Sequence, residues 1–293
     1  MSRFSKFLAY LGWFPNKFQF RGMYFNEIKS SKALQGFYKN KNTEIEMFLL
    51  IEGLDFKSMI DCGAYFGYFS IYSDKIKNNL NVVAFEADKD NFERLKYFVD
   101  LNSSKVKTYN KAIGGKTEKV EFFKPIYKNI SKYPAHGQVG NPKLQESNPY
   151  KDRKFKKYSV EMISLYEVLN EFALDKTLLK LDIEGKEKEA WHSIHKELKA
   201  RSDLDLIIEL MINDDNSFDI FNLIRSCGYD SYLITNAGLI AEKNRPLILP
   251  KPNESPKHKK LRTEWKNHFF TKRSSSEIKK LNLLKFGYNI WLL

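Results

Sequence analysis

Cysteine is nearly absent from this chain: among 293 residues there are two, Cys62 and Cys227. Two thiols cannot build a disulfide framework, and their separation does not resemble the paired spacing of a zinc site. A reducing, cytoplasmic setting is the expectation. Long apolar runs are missing too. No uncharged stretch approaches the roughly 18 residues that suggest a membrane span. The opening MSRFSKFLAYLGWF is basic and aromatic but has no long apolar centre and no small-residue cleavage site, so a secretory leader is not expected. There is no internal repeat.

The chain is rich in bulk. Hydrophobic residues make up 42%, enough for a sizeable core, and Phe (23) and Tyr (16) lift the aromatic share to 15%. The net charge of +13 is uneven. Residues 1–45 carry 8 Lys/Arg against 2 Asp/Glu, and residues 251–293 carry 11 against 3. The stretch 46–250 is balanced at 30 against 31, so the basic character belongs to the ends. This argues against a central site shaped around a long polyanion.

Residues 1–42 read as a basic, aromatic N-terminal extension. Phe4, Phe7, Leu8, Leu11 and Phe14 recur at helical spacing up to Pro15. The spacing predicts an amphipathic helix that docks on the core or rests peripherally on the inner face of the membrane. Residues 43–293 form the main domain, with an α/β rhythm. Predicted strands are Ser58–Asp61, Asn81–Glu86, Val106–Asn110, Lys119–Phe123, Val160–Ile163, Thr177–Asp182 and Leu204–Leu210, then Ser231–Thr235, His268–Thr271 and Tyr288–Leu292. Helices fall between them, including Thr43–Gly53, Asn91–Leu101, Leu165–Glu171, Glu187–Leu198 and Phe218–Ser226. Residues 124–157 are Pro/Gly-punctuated and irregular. A stretch this long within a domain suggests a substrate loop.

The strongest local signal is MIDCGAYFGYFS, Met59 to Ser70. An apolar strand ends at Asp61, Gly63 and Gly67 turn the chain, and a helix begins. Glycine lets the backbone turn tightly and lets a bulky ligand lie against the main chain. The next strand, NVVAFE, ends in Glu86, 19 residues after Gly67. In doubly wound folds an acid at that place accepts the hydroxyls of an adenosine ribose. A dinucleotide site wants G-x-G-x-x-G around a pyrophosphate. The run G-A-Y-F-G lacks that spacing, and Tyr65 and Phe66 would crowd a pyrophosphate. S-adenosylmethionine carries no phosphate. It needs an acid near its amino group, a close backbone and a ribose acceptor, for which Asp61, Gly63–Gly67 and Glu86 are the candidates.

These motifs resemble those of the FkbM-type methyltransferases over about Ile60 to Asn213. DCGAYFGYFS is similar to the family's D-x-G-A-N-x-G-x-x-[ST] turn, which assigns cofactor contacts to Asp61, Gly63, Ala64, Tyr65, Gly67 and Ser70. FEAD (85–88) resembles the end of the second strand, with Glu86. NKAIGG (110–115) resembles the alanine-containing element after the third strand, with Ala112. LKLDIEGKE (179–187) resembles the most specific family motif, K-[IV]-D-[VI]-E-G-x-E, and IIEL (207–210) the end of the fifth strand. Tyr65 stands where Asn is common and Ala87 where Pro is common. The resemblance implies a Rossmann-like class I methyltransferase fold: a doubly wound, mostly parallel seven-stranded sheet, here with an N-terminal helical extension. It also implies S-adenosylmethionine, O-methylation, and a sugar or polyketide-like acceptor. A sugar hydroxyl of a surface glycan or its precursor is the expected substrate.

A hydroxyl is a weak nucleophile, so a base or a metal must assist. Asp182 and Glu209 end neighbouring predicted strands, and Glu184 follows closely. Either Asp182 or Glu184 serves as a base, or Asp182 and Glu209 hold a hard cation such as Mg²⁺. The structural alternative has Glu184 capping the next helix and Glu209 paired with a lysine. His136, between Pro134 and Gly137, is a second candidate base or simply a solvated loop residue. Signals for nucleic-acid methylation are weak. LKLD runs into IEGKE where an adenine-N6 enzyme has N-P-P-Y, and no cysteine follows proline as a cytosine-C5 enzyme needs. A non-catalytic domain of the same fold is disfavoured by the presence of both Asp61 and Glu86. The oligomeric state is not legible.

Overall fold

The runs SMIDC, TLLKL and LDLIIELM are apolar along nearly their whole length, so both faces of each strand need covering. A computed structural model, which describes residues 14–40, 43–126, 137–141, 154–211, 215–235, 238–242 and 265–281, shows how this is met. The described chain opens with a hairpin of β1 (Lys17–Phe20) and β2 (Met23–Asn26), then α1 (Lys32–Lys39) and α2 (Ile45–Gly53). The α/β core follows: β3 (Ser58–Cys62), α3 (Tyr68–Ile76), β4 (Asn81–Phe85), α4 (Lys89–Leu101) and β5 (Lys107–Tyr109). Next come β6 (Ala112–Gly114), β7 (Glu118–Pro125), β8 (Gln138–Val139), β9 (Phe155–Ser164) and α5 (Leu165–Phe172). The chain then returns through β10 (Thr177–Leu181), α6 (Glu187–Ser193), α7 (His195–Ala200), β11 (Leu204–Met211) and α8 (Asp215–Ser226). It continues with β12 (Asp230–Thr235), β13 (Gly238–Glu242), β14 (Trp265–Thr271) and α9 (Ser275–Lys280).

The main sheet has eight strands in the order β13-β12-β14-β11-β10-β3-β4-β5. The five strands from β11 to β5 are parallel, and β14, β12 and β13 are antiparallel additions. The doubly wound core matches the expectation, but the seven-stranded sheet does not. The eighth strand, β13, is short and folds back on β12, where sequence periodicity has little to read. A second sheet, β6-β9-β7-β8, draws two of its strands from the expected substrate loop: β8 lies within 124–157 and β9 starts at Phe155 rather than Val160. The rest of that loop (127–136 and 142–153), the predicted helix over Phe4–Phe14 apart from Phe14 itself, and the predicted strand Tyr288–Leu292 lie outside the described residues. The predicted helix Glu187–Leu198 is broken at Ile194, a fully buried residue at the joint of α6 and α7.

Two apolar layers sandwich the main sheet. One joins Met59, Val82, Ala84 and Leu178 to Phe66, Phe69 and Leu95. It extends without interruption to Phe18, Phe20, Met23, Phe25, Leu34 and Phe37 of the N-terminal segment. That segment is therefore not a helix alone: a hairpin precedes α1, its buried and exposed positions alternate, and Phe20 stacks on Phe37 at 4.5 Å. The other layer packs α5, α6 and α8 on the opposite face through Leu165, Trp191 and Phe221. Among the described residues no helix is long and apolar enough to cross a membrane.

Candidate functional site

The chain leaves β3 toward β4 and β5 on one side and returns to β10 and β11 on the other. The crevice at the carboxyl ends of β3 and β10 is thus a topological switch point, where open α/β sheets bind ligands. A cavity of about 320 Å³ lies there.

Its floor is the turn after β3. Gly63 and Gly67 have φ of +80° and +73°, a region that side chains rarely adopt. A Cβ at Gly63 would sit 1.8 Å from the backbone oxygen of Asp182, so only glycine lets the ends of β3 and β10 close together. The N–H groups of Gly63 and Ala64 both donate to Phe85 O at 2.9 Å, locking the turn to β4. Tyr65 also has positive φ, +53°. Its N–H donates to Glu86 Oε2 at 2.8 Å, its ring stacks on Phe66, and its hydroxyl lies 3.1 Å from Ser31 Oγ. The tyrosine that replaces the family's usual asparagine therefore ties the turn to the N-terminal segment.

Glu86 follows β4 at one end of the cavity, beside Ala87, Ala112 and Ile113. Its other oxygen accepts from Asp88 N–H at 2.9 Å. Burial pushes its carboxyl up to about 8 against these donors. At the far end the register pairs Leu181 with Ile208, which brings Asp182 level with Glu209. Glu184, Tyr68 and Glu44 complete that end. Glu209 is pushed well above the usual carboxylate range by burial first, then by the charges of Asp182 and Glu184. A hydrogen bond to Asp182 raises it further.

Beneath the cavity lies a buried ion pair. Lys180 Nζ is 3.0 Å from Asp182 Oδ2 and 3.6 Å from Asp61 Oδ1. Burial alone would lower the lysine, but Asp182 and Asp61 outweigh it and hold the ammonium above its ordinary range. Asp61 is fully buried and accepts from Ser70 Oγ at 2.5 Å; burial raises its carboxyl despite Lys180 and Ser70.

Of the residues singled out in the sequence, Gly63, Tyr65, Glu86, Ala112, Asp182, Glu184 and Glu209 line the cavity. Asp61, Ala64, Gly67 and Ser70 build the turn behind its wall. Asp61 Oδ2 accepts from Ser70, and its Oδ1 lies 3.6 Å from Lys180 Nζ without a hydrogen bond of its own. His136 lies outside the described residues. The N-cap of the helix after β10 is Lys186, not Glu184, and it makes no side-chain cap bond; the Glu187 oxygens accept from Gly185 N–H at 2.9 and 3.0 Å, just ahead of the helix. The Cys62 thiol is raised by burial and is inert filler. The Mg²⁺ alternative finds no support. Among the described residues no three His, Cys, Asp or Glu side chains converge as a metal site, and the Lys180 ammonium already serves Asp182 as counter-charge. The sequence reading missed Lys180 and Glu44. A lysine inside the otherwise apolar run TLLKL was a legible signal, since a charge there must be paired. Glu44 gave none beyond its place at a helix start.

The cavity's chemistry suits S-adenosylmethionine. A glycine-lined floor admits a ligand against the main chain, and Glu86, which takes donors from Tyr65, Asp88 and Asn91, keeps acceptor capacity for a ribose hydroxyl. Small apolar side chains flank that end, and carboxyl groups stand where a cationic group would lie.

The sequence matches the Methyltransferase FkbM domain over residues 61–231. A comparison with curated proteins gives no match. Among solved structures the chain is similar to precorrin-6y C5,15-methyltransferase from Geobacter metallireducens GS-15, at 11% identity and a TM-score of 0.41, covering 78% of this chain and 88% of that one. It is similar to the StiE O-MT segment at 12% identity and a TM-score of 0.41, covering 89% and 85%. An rRNA methylase from Streptococcus thermophilus aligns at 10% identity and a TM-score of 0.40, covering 80% and 98%.

Proposed function

This chain belongs to the FkbM methyltransferase family, and on that premise we propose that it methylates a hydroxyl oxygen of a sugar, in a surface glycan or its precursor. S-adenosylmethionine, when bound, supplies a methyl carbon carried on a positively charged sulfur. The protein's part is to hold the acceptor and take its proton. Asp182 is the residue for the second task. It stands at the mouth of the switch-point crevice, oriented by Lys180 on one side and by the Glu209 carboxyl on the other. As the new carbon–oxygen bond forms, the hydroxyl proton passes to Asp182.

The observation that supports a sugar is the cluster of Asp182, Glu184 and Glu209 at that end of the cavity. Carboxyl groups are good partners for the several hydroxyls of a neutral sugar. Acidic side chains at that end oppose a phosphate there, which disfavours nucleic acid as acceptor. The test uses methyl-labelled cofactor with a panel of glycosides, their singly deoxygenated analogues, and RNA. Label is expected in an alkali-stable ether on a glycoside, and the analogue lacking the acceptor hydroxyl should take none. Asp182→Asn should cut turnover by about two to four orders of magnitude while cofactor affinity changes little. Label found in RNA instead of any glycoside would overturn the proposal.

A further inference from the structure

We infer that Glu44 receives the α-ammonium group at the amino-acid end of the cofactor. The inference rests on the cofactor reading above.

The cavity has a direction. Glu86 marks the ribose end, and Glu44 lines the opposite end with Tyr68 and Asp182. Glu44 Oε2 is closed off from solvent and has no hydrogen-bond partner. A buried carboxyl oxygen without a partner is costly, so it calls for a ligand. Glu44 occupies the N-cap position of α2, yet its side chain does not cap the helix. Its φ of +53° is a conformation that glutamate adopts only under strain. The Glu44 carbonyl accepts from Met47 and Phe48 N–H in the first turn of α2, while the side chain is left to the cavity.

The surrounding charges favour a cation. Lys180 is the positive group that acts on Glu44, and it is engaged by Asp182 and Asp61; Lys32 and Lys111 also line the cavity. Asp182, Glu46, the Tyr68 hydroxyl and Glu209 are the other titratable groups facing this corner. Burial outweighs Lys180 and holds the Glu44 carboxyl at about 7. An arriving ammonium restores its charged form and supplies the missing donor. A neutral donor would supply the hydrogen bond but not the charge, and an anionic group would supply neither.

Calorimetry separates the possibilities with three probes: S-adenosylmethionine, S-adenosylhomocysteine, which keeps the ammonium but not the sulfonium, and methylthioadenosine, which lacks the amino-acid end. Glu44→Gln should weaken the first two by about 10- to 100-fold, the scale of a lost hydrogen bond to a charged group. Methylthioadenosine should bind the variant as it binds the wild type, which also shows that the cavity has kept its shape. Unchanged affinity for the first two probes would overturn the assignment. So would a loss confined to S-adenosylmethionine, which would place Glu44 at the sulfonium, or an equal loss for all three. A wild-type protein that binds none of them would remove the cofactor reading and this assignment together.

Discussion

Replacing Lys180 with methionine keeps an unbranched stem and deletes one ammonium. That ammonium lies 3.0 Å from Asp182 and 3.6 Å from Asp61. Lys180 is 3% exposed and Asp61 is 0% exposed, so the variant leaves Asp61 with Ser70 as donor but no counter-charge. Breaking a buried ion pair by removing one partner costs about 3–5 kcal/mol. Asp182 contributes little to this, because its side chain is 37% exposed and water takes over as partner. About 3 kcal/mol is therefore expected, nearly all from Asp61. At about 2–4 °C per kcal/mol for a chain of this order, the melting temperature should fall by about 6–12 °C. The loss also has a pH signature. The folded-state pKa of Asp61 is already raised by burial, and the variant raises it further. Such a group stabilises fully below its unfolded pKa and loses that contribution as pH rises through the folded one. The gap between wild type and variant should therefore be small near about pH 4 and widen toward about pH 8. Adding Asp61→Asn removes the orphaned charge and keeps an acceptor for Ser70, so the double variant should recover most of the loss. Thermal unfolding followed by circular dichroism measures all of this. A single variant within about 2 °C of wild type, or a double variant no better than the single, would refute the charge-pair argument.

Gly63→Ala should be worse than its size suggests. Its Cβ meets backbone at Asp182 and its φ is +80°, so the strand ends must part, and calorimetry should show cofactor affinity reduced by about tenfold or more. Glu187 is held at about 8 by burial, far above its ordinary 4.5. It therefore stabilises the fold below about 4.5 and loses that contribution as pH rises toward about 8. Thermal melts across that window should decline, and Glu187→Gln should flatten the decline; an unchanged slope would exclude the group. Tyr65→Phe removes the hydroxyl facing Ser31 and should cost about 1 kcal/mol. Limited proteolysis should then cut between residues 16 and 40 sooner than in the wild type, and equal rates would dismiss the tie.

The parallel core was legible because its strands are apolar on both faces and are punctuated by Gly63, Gly67 and acids at strand ends. Those patterns are local. The eighth strand was not legible, because β13 is five residues long and depends on β12 for its pairing. The hairpin β1–β2 escaped for a similar reason: its alternation spans four residues on each side of Arg21-Gly22 and reads as mixed aromatic and basic sequence. Within the site, Glu86, Asp182 and Glu209 were legible as acids at or near strand ends, Glu209 lying two residues before the end of β11. The direction of Asp61 was not, since spacing cannot say which of two neighbours a carboxylate faces. Lys180 decides that, and its side chain reaches Asp61 across a strand pair 119 residues apart in sequence.

The family match begins at residue 61, while the apolar layer on which that span rests begins at Phe18. The matched stretch and the unit that folds are therefore different objects. A fragment trimmed to the match would strip Phe20, Met23, Phe25, Phe37 and Phe48 from Phe66, Phe69 and Phe98, leaving those rings open to water. Such a fragment should aggregate on expression, and its failure to bind a ligand would say nothing about the chemistry of the intact chain.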